Sequence, residues 1–242
     1  MIRLYSPQNL VVGDILVLSP EDGHYLYTVM RKKHGESIIV FHPQDGEFSA
    51  TIEVHGKAKK NIVAHITKFL KKPEVLVPRH MGLALLKSDK FLLCLEKATE
   101  LCITEIHPLI TQHQSISFAH TPQKWHQRIK EAAEQCERCT LPFIHPPKTL
   151  KHFIDSITVP WVVAIERCPF LPSASPEHFQ KAVGVMVGPE GGFSAEERDY
   201  LLSATPLLQG VHLGPTILRA ETAALFLLSC LHSTHLSTKE QL

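Results

Sequence analysis

The stretch Gly184-Val-Met-Val-Gly-Pro-Glu-Gly-Gly-Phe-Ser-Ala-Glu-Glu197, read with Leu213-Gly-Pro-Thr-Ile-Leu-Arg-Ala-Glu-Thr-Ala-Ala224, decides the fold of this chain. In each, a short apolar run breaks into a Gly/Pro loop and a helix follows at once. Such a turn aims the loop's backbone N–H groups and the positive end of the helix at one point, which makes a ligand cradle. Ser194 and Glu197 have the S-x-x-E spacing of a capping box, so the first helix is predicted to start there. Gly188, Gly191 and Gly192 permit positive φ and close backbone approach to a ligand. One such loop is the ordinary strand-to-helix turn of any α/β protein. Two of them predict a binding site.

Working outward, the chain from residue 73 alternates between strand and helix. Strands are predicted over 81–86, 103–110, 161–165, 183–187 and 208–213. Between them the pattern predicts helices over 88–101, from Thr121-Pro122 to about Cys139, and over 176–182, 194–204 and 220–232. Alternation of this kind builds an α/β domain with a largely parallel sheet, whose ligands lie at the C-terminal ends of strands. Those ends are Gly188-Pro189-Glu190, Gly214-Pro215-Thr216 and Ile165-Glu166. Residues 1–72 read differently, with strands over 14–18, 37–41, 48–54 and 61–69 and a hairpin signal at Asp45-Gly46. Phe48, Ala50, Ile52 and Val54 alternate with Ser49, Thr51 and Glu53, as in a strand with one buried face, and a small barrel is the natural closure. A helix-like spacing interrupts the strands over 24–32. Lys71-Lys72-Pro73 marks the boundary between a domain of residues 1–72 and one of residues 73–242.

Lys and Arg total 25 against 24 Asp and Glu, so bulk charge selects no nucleic-acid partner. The best phosphate-contacting candidates are local: Arg31, Lys32 and Lys33, with Lys57, Lys59 and Lys60. A solvated face is the competing reading of these lysines, and no aromatic ladder for base stacking accompanies them. Six cysteines without a leading signal segment predict free thiols in a reducing compartment. Cys136-x-x-Cys139 has no second pair or histidine at zinc-finger spacing, and the sixteen histidines are scattered without an H-E-x-x-H, so no metal is expected. The longest apolar run, 223–228, is far short of the roughly 20 residues of a membrane span. A cytoplasmic chain, soluble and unattached to membrane, is the expectation.

The paired motifs V-G-P-E-G-G-F-S-A-E-E and L-G-P-T-I-L-R-A-E-T-A-A resemble those of the ribosomal RNA small subunit methyltransferase E family, SPOUT-class enzymes that methylate N3 of a uridine in 16S ribosomal RNA. The resemblance extends to Lys87-x-Asp89-Lys90 with Lys97-x-x-Glu100-Leu101, to Glu134-Gln135-x-x-Arg138 with Pro142-x-Ile144, and to His24-Tyr25-Leu26-x-x-Val29-Met30-Arg31 with Gly35. Two residues depart from it: Thr216 stands where the family usually has arginine, and Cys102 where it usually has glycine. The resemblance implies a PUA-like RNA-binding β-barrel followed by a SPOUT domain with a trefoil knot, paired as a homodimer. It implies S-adenosylmethionine held by Glu166, Gly188, Glu190, Gly191, Gly192, Leu213, Gly214, Leu218, Arg219 and Thr222. Neutral uracil N3 carries a proton, so Glu221 is the candidate base and Arg219 the candidate stabiliser of the developing anion. Two other readings compete with this one, a non-catalytic RNA-binding relative and a SPOUT enzyme acting on another RNA. A dinucleotide enzyme fits the spacing poorly, because Gly188-Pro-Glu-Gly-Gly-Phe is not G-x-G-x-x-G.

Overall fold

The computed structural model of the chain describes residues 1–55, 61–114, 121–166, 168 and 170–239. The chain forms two compact units, Met1–Val75 with Ala133–Leu141, and Leu76–Ala132 with Pro142–Leu242.

Five strands make the sheet of the first unit: β1 (Arg3–Tyr5), β2 (Ile15–Val17), β3 (Ser37–His42), β4 (Gly46–His55) and β5 (Asn61–Lys71), in the order β1-β3-β4-β5-β2. β1 runs parallel to β3 and the other pairs are antiparallel. The predicted hairpin joins β3 to β4 through Gly46, whose φ is +97°. A Cβ there would lie 2.1 Å from the Lys71 carbonyl oxygen, so glycine is required by close approach as well as by φ. Along β4 the expected alternation holds as far as Ile52: Phe48, Ala50 and Ile52 are buried while Ser49, Thr51 and Glu53 are partly exposed, and Val54 is only partly buried. Phe48, Ala50 and Ile52 pack with Leu4, Leu26, Ile38 and Val40, the side chains larger than alanine each contributing about 1.5–3 kcal/mol when fully buried.

The helix expected over 24–32 starts earlier, as α1 (Pro20–His24). Ser19 caps it by accepting from the Asp22 N–H, and Pro20 presets the first turn. One π-helical turn, Tyr25–Val29, then carries Leu26 into the core. Residues 133–141 add a polar knot to this unit. Arg3 pairs with Glu47 in the interior, Lys71 Nζ lies 3.2 Å from the same carboxylate, and the Cys139 thiol donates to it at 3.3 Å. Burial pushes that thiol up to about 12, so it stays protonated, a donor and not a thiolate.

All strand pairings in the second unit are parallel, in the order β12-β10-β11-β6-β7-β8, with β9 also on β7. The strands are β6 (His80–Ala84), β7 (Glu105–Ile110), β8 (Phe143–Ile144), β9 (Lys148–Thr149), β10 (Trp161–Ala164), β11 (Gly184–Val187) and β12 (Leu208–Val211). Around them lie α2 (Ser88–Glu100), α3 (Pro122–Gln135), α4 (Leu150–Asp155), α5 (Pro176–Phe179), α6 (Ala195–Ser203) and α7 (Ala220–Lys239). β11 is buried throughout, as a central strand covered on both faces must be. β8, β9 and α4 were not predicted. The α3 helix stops at Gln135, short of Cys139, and Glu137 takes a left-handed φ of +62° just beyond. Conversely, α7 runs past residue 232 to Lys239.

Cys102, one of the two departures, has a left-handed φ of +60°. It closes α2 in a Schellman arrangement, with Cys102 N donating to Thr99 O and Ile103 N to Ala98 O. At the N-terminal ends of the parallel strands, burial lowers His80 and His107 below the usual imidazole range. His107, with His145 and His80 adjoining, falls to about 3. Among the described residues no helix is long and apolar enough to cross a membrane.

Candidate active site

A cavity of about 760 Å³ opens at the C-terminal ends of β10, β11 and β12. Its floor includes the strand residues Ala164 and Val187 and the helix residue Ala223, and the two Gly/Pro loops form its walls. Glu166, Gly188, Glu190, Gly191, Gly192, Leu213, Gly214, Leu218 and Arg219 all line it. Two sequence-predicted residues do not. Thr222 is exposed, turned away on α7 from the flanking wall residues Ala220 and Ala223. Glu221 lies behind the wall, largely buried, with its carboxylate 3.4 Å from Lys90 Nζ. Lys90 itself lines the cavity, together with Arg198.

The glycines work differently from the expectation. Only Gly192 in the first loop has a positive φ, +72°, and in the second Gly214 has +117°. At both, a Cβ would point into open space. A Cβ on Gly188 would lie 2.9 Å from the Phe193 ring, and one on Gly191 would lie 3.0 Å from His113 Cβ. Those two glycines are therefore packed tightly against the protein's own side chains.

The capping box is as predicted: Ser194 Oγ accepts from Glu197 N at 3.1 Å, and Ser194 N donates to Glu197 Oε2 at 2.9 Å. Sequence spacing did not reveal what else this carboxylate does. Its Oε1 accepts from the Gln112 N–H at 2.9 Å, just past β7, and the next residue, His113, donates from Nδ1 to the Gly192 carbonyl at 3.2 Å. Glu190 Oε1 accepts from the Lys87 N–H at 2.9 Å, where α2 begins. In the second loop, His212 Nδ1 accepts from Gly214 N at 3.3 Å. The proton is then on Nε2, which donates to Ser173 Oγ at 3.0 Å. Beyond Gly214 the loop is open: Pro215, Thr216, Ile217 and Arg219 are exposed.

In the first unit, Arg31 and Lys33 are exposed, and Arg31 has a left-handed φ of +53°. Lys32 Nζ is 3.3 Å from Glu36 Oε1 and partly compensated. The backbone N–H of Lys33, aided by the Lys32 ammonium, holds the Glu36 carboxyl below its usual range. Lys57, Lys59 and Lys60 lie outside the described residues.

Comparison with known proteins bears directly on this cavity. Residues 73–232, which contain it whole, match the family described as RNA methyltransferase domain. Ribosomal RNA small subunit methyltransferase E of Rickettsia conorii is 34% identical, over 92% of this chain and 91% of its own length. The chain belongs to the ribosomal RNA small subunit methyltransferase E family. Residues 18–63 match the RNA methyltransferase PUA domain. Two solved structures cover 96% of the chain and 97% of their own: a putative methyltransferase from Legionella pneumophila in complex with bound SAM (29% identity, TM-score 0.84), and ribosomal RNA small subunit methyltransferase E from Neisseria gonorrhoeae bound to S-adenosyl methionine (27%, 0.78). The family's architecture, an N-terminal PUA-like domain and a C-terminal SPOUT-like α/β domain with a parallel sheet, is the one described above.

Proposed function

We propose that this chain transfers a methyl group from S-adenosylmethionine to N3 of a uridine in 16S ribosomal RNA of the small subunit. The observation that carries the reading is a cavity at the strand ends whose walls combine backbone loops with three cationic side chains, Lys90, Arg198 and Arg219. The residues present fit the cofactor. Open space over Gly192 and Gly214 admits a ligand against bare backbone, and the apolar floor suits a flat heterocycle. When bound, S-adenosylmethionine supplies a sulfonium methyl already activated for transfer. The chain's own residues then have to hold donor and acceptor in line and deal with the proton on uracil N3.

Arg219, exposed at the cavity mouth, stabilises the charge that develops on the uracil oxygens as N3 gives its proton to solvent water at that open mouth. Glu221 acts one side chain back. It fixes Lys90 in the wall, so it is a positioning residue in this reading and no longer the base. The PUA-like part of residues 1–72 supplies phosphate contacts through Arg31 and Lys33, with residues 73–242 catalytic. The family resemblance adds a trefoil knot, a homodimer and a cytoplasmic setting to the proposal.

The test is a copying assay. A methyl on N3 removes the Watson–Crick donor that pairs with adenine, so reverse transcription stops at the modified base. Ribosomal RNA from cells lacking the protein should lose one stop, and purified protein with S-adenosylmethionine should restore it. If no stop returns on naked RNA or on small subunits, the N3 assignment fails. Calorimetry with S-adenosylmethionine then separates the alternatives: binding leaves an enzyme for another RNA, and none leaves an RNA-binding protein.

A further inference from the structure

The other end of the same parallel sheet carries a second constellation. Glu105 and His107 are two apart on β7 and so share a face. In the parallel register His80 of β6 is opposite Glu105, and Ile144 of β8 is opposite Ile106. His145 continues that register, its N–H donating to Ile106 O, which puts it beside His107. Three imidazoles and one carboxylate therefore meet on one face, at the N-terminal ends of β6 and β7 and just past the short β8. Their rings stack, His80 on His107 at 5.4 Å and His107 on His145 at 4.2 Å, and Phe153 and Trp161 wall them on the apolar side.

Distances within this group are those of a coordination shell. His80 Nδ1 lies 3.1 Å from His107 Nε2, and Glu105 Oε2 lies 3.7 Å from the first and 3.9 Å from the second. A triangle with those sides has its circumcentre about 2.1 Å from each corner, within the roughly 2.0–2.2 Å of zinc bonds to histidine nitrogen and carboxylate oxygen. His145 Nε2 donates to Glu105 Oε2 at 2.7 Å, the outer contact that orients a ligating carboxylate. The His80 and His107 side chains are mostly covered, while His145 keeps about a quarter and Glu105 about a third of its side chain exposed, which gives an ion a way in.

We propose that His80, Glu105 and His107 bind a divalent metal ion of the zinc class, with His145 holding the carboxylate. The site is structural. It ties β6, β7 and the segment after β8 together at the edge of the sheet remote from the methyl-transfer cavity, with a fourth position left for water. This departs from the metal-free expectation of the sequence, where these residues are scattered and only strand register assembles them. The Cys136-x-x-Cys139 pair takes no part, since Cys139 is a protonated donor to Glu47.

The full-length chain, stripped with chelator, is titrated with zinc chloride by calorimetry and with cobalt(II) chloride by visible absorption. The expected result is one tight ion per chain, with cobalt ligand-field bands and no sulfur-to-cobalt charge-transfer band. His145→Ala should weaken zinc about 10–100-fold, as loss of an outer-shell partner does, and Glu105→Gln and His107→Ala should weaken it further. Unchanged S-adenosylmethionine affinity and far-ultraviolet circular dichroism identify the variants that are folded. Glu105→Gln is the conservative change that keeps the test decisive if His107→Ala does not fold. Absence of tight zinc, a thiolate band, or equal affinity in parent and folded Glu105→Gln protein overturns the proposal.

Discussion

The two loops that wall the cavity share a sequence design and differ in how they are held. Residues 188–193 are tied to other segments: Glu190 to the Lys87 N–H, Gly192 O to His113, and the helix they enter to Gln112 through Glu197. Residues 213–219 are anchored near their start, by Gly214 to His212, and then run exposed to Arg219. The first loop is a preformed frame. The second presents exposed residues at the cavity mouth, and it carries the group assigned to chemistry. Similar motifs thus take on different mechanical roles because of partners that lie far away in the chain.

Predictions from this contrast run from the working loop to the frame. Arg219→Ala should cost about 10²–10³ in kcat, the typical loss of one transition-state donor, while S-adenosylmethionine binds within a few-fold of the parent. Single-turnover methylation beside calorimetry checks this; equal losses in binding and turnover would make the second loop a second frame. Glu197→Ala leaves the Gln112 and Ser194 N–H groups without their acceptor, so stability should fall by about 2–3 kcal/mol, with weaker cofactor binding as a consequence. Urea unfolding reads the first effect and calorimetry the second. Gly191→Val should displace His113 and cost about 1–2 kcal/mol of stability along with cofactor affinity. A variant that melts like the parent but binds the cofactor poorly would restore the simpler view, in which the ligand itself needs that glycine. Cys102→Gly, remote from both loops, should add about 0.5–1 kcal/mol by relieving a left-handed φ, with methylation unchanged.

What was legible in the sequence was local. Alternation in β4 as far as Ile52, the helix expected over 88–101, the capping box at Ser194 and the two loops each signal within a few residues, and each is found where expected. β8 and β9 are two residues each, too short for any period to register, and α4 is little more than one turn. The end of α3 was misjudged because nothing in Cys136-Glu137 announces a left-handed residue. Long-range pairs were out of reach for a different reason. Glu221 facing Lys90, and Glu105 facing three histidines, depend on strand order, and adjacency in the chain does not reveal that β6 lies between β11 and β7.

That strand order also bears on how the protein is made. β6 is the first strand of its sheet to be synthesised, yet His80 pairs with Gly184, roughly a hundred residues later, and β12 at the far edge comes later still. Parallel pairings over such separations close late and slowly. The cavity needs residues from Lys90 to Ala223, so no translation product that stops before Ala223 can contain it, and β6 must wait with one edge unpaired while β11 is translated. At about 5–20 residues per second, that wait lasts on the order of ten seconds. During it, the growing chain carries an apolar strand edge with no partner strand. By this reading, nascent chains arrested between β6 and β11 should be the aggregation-prone species, and chains arrested after α7 should not.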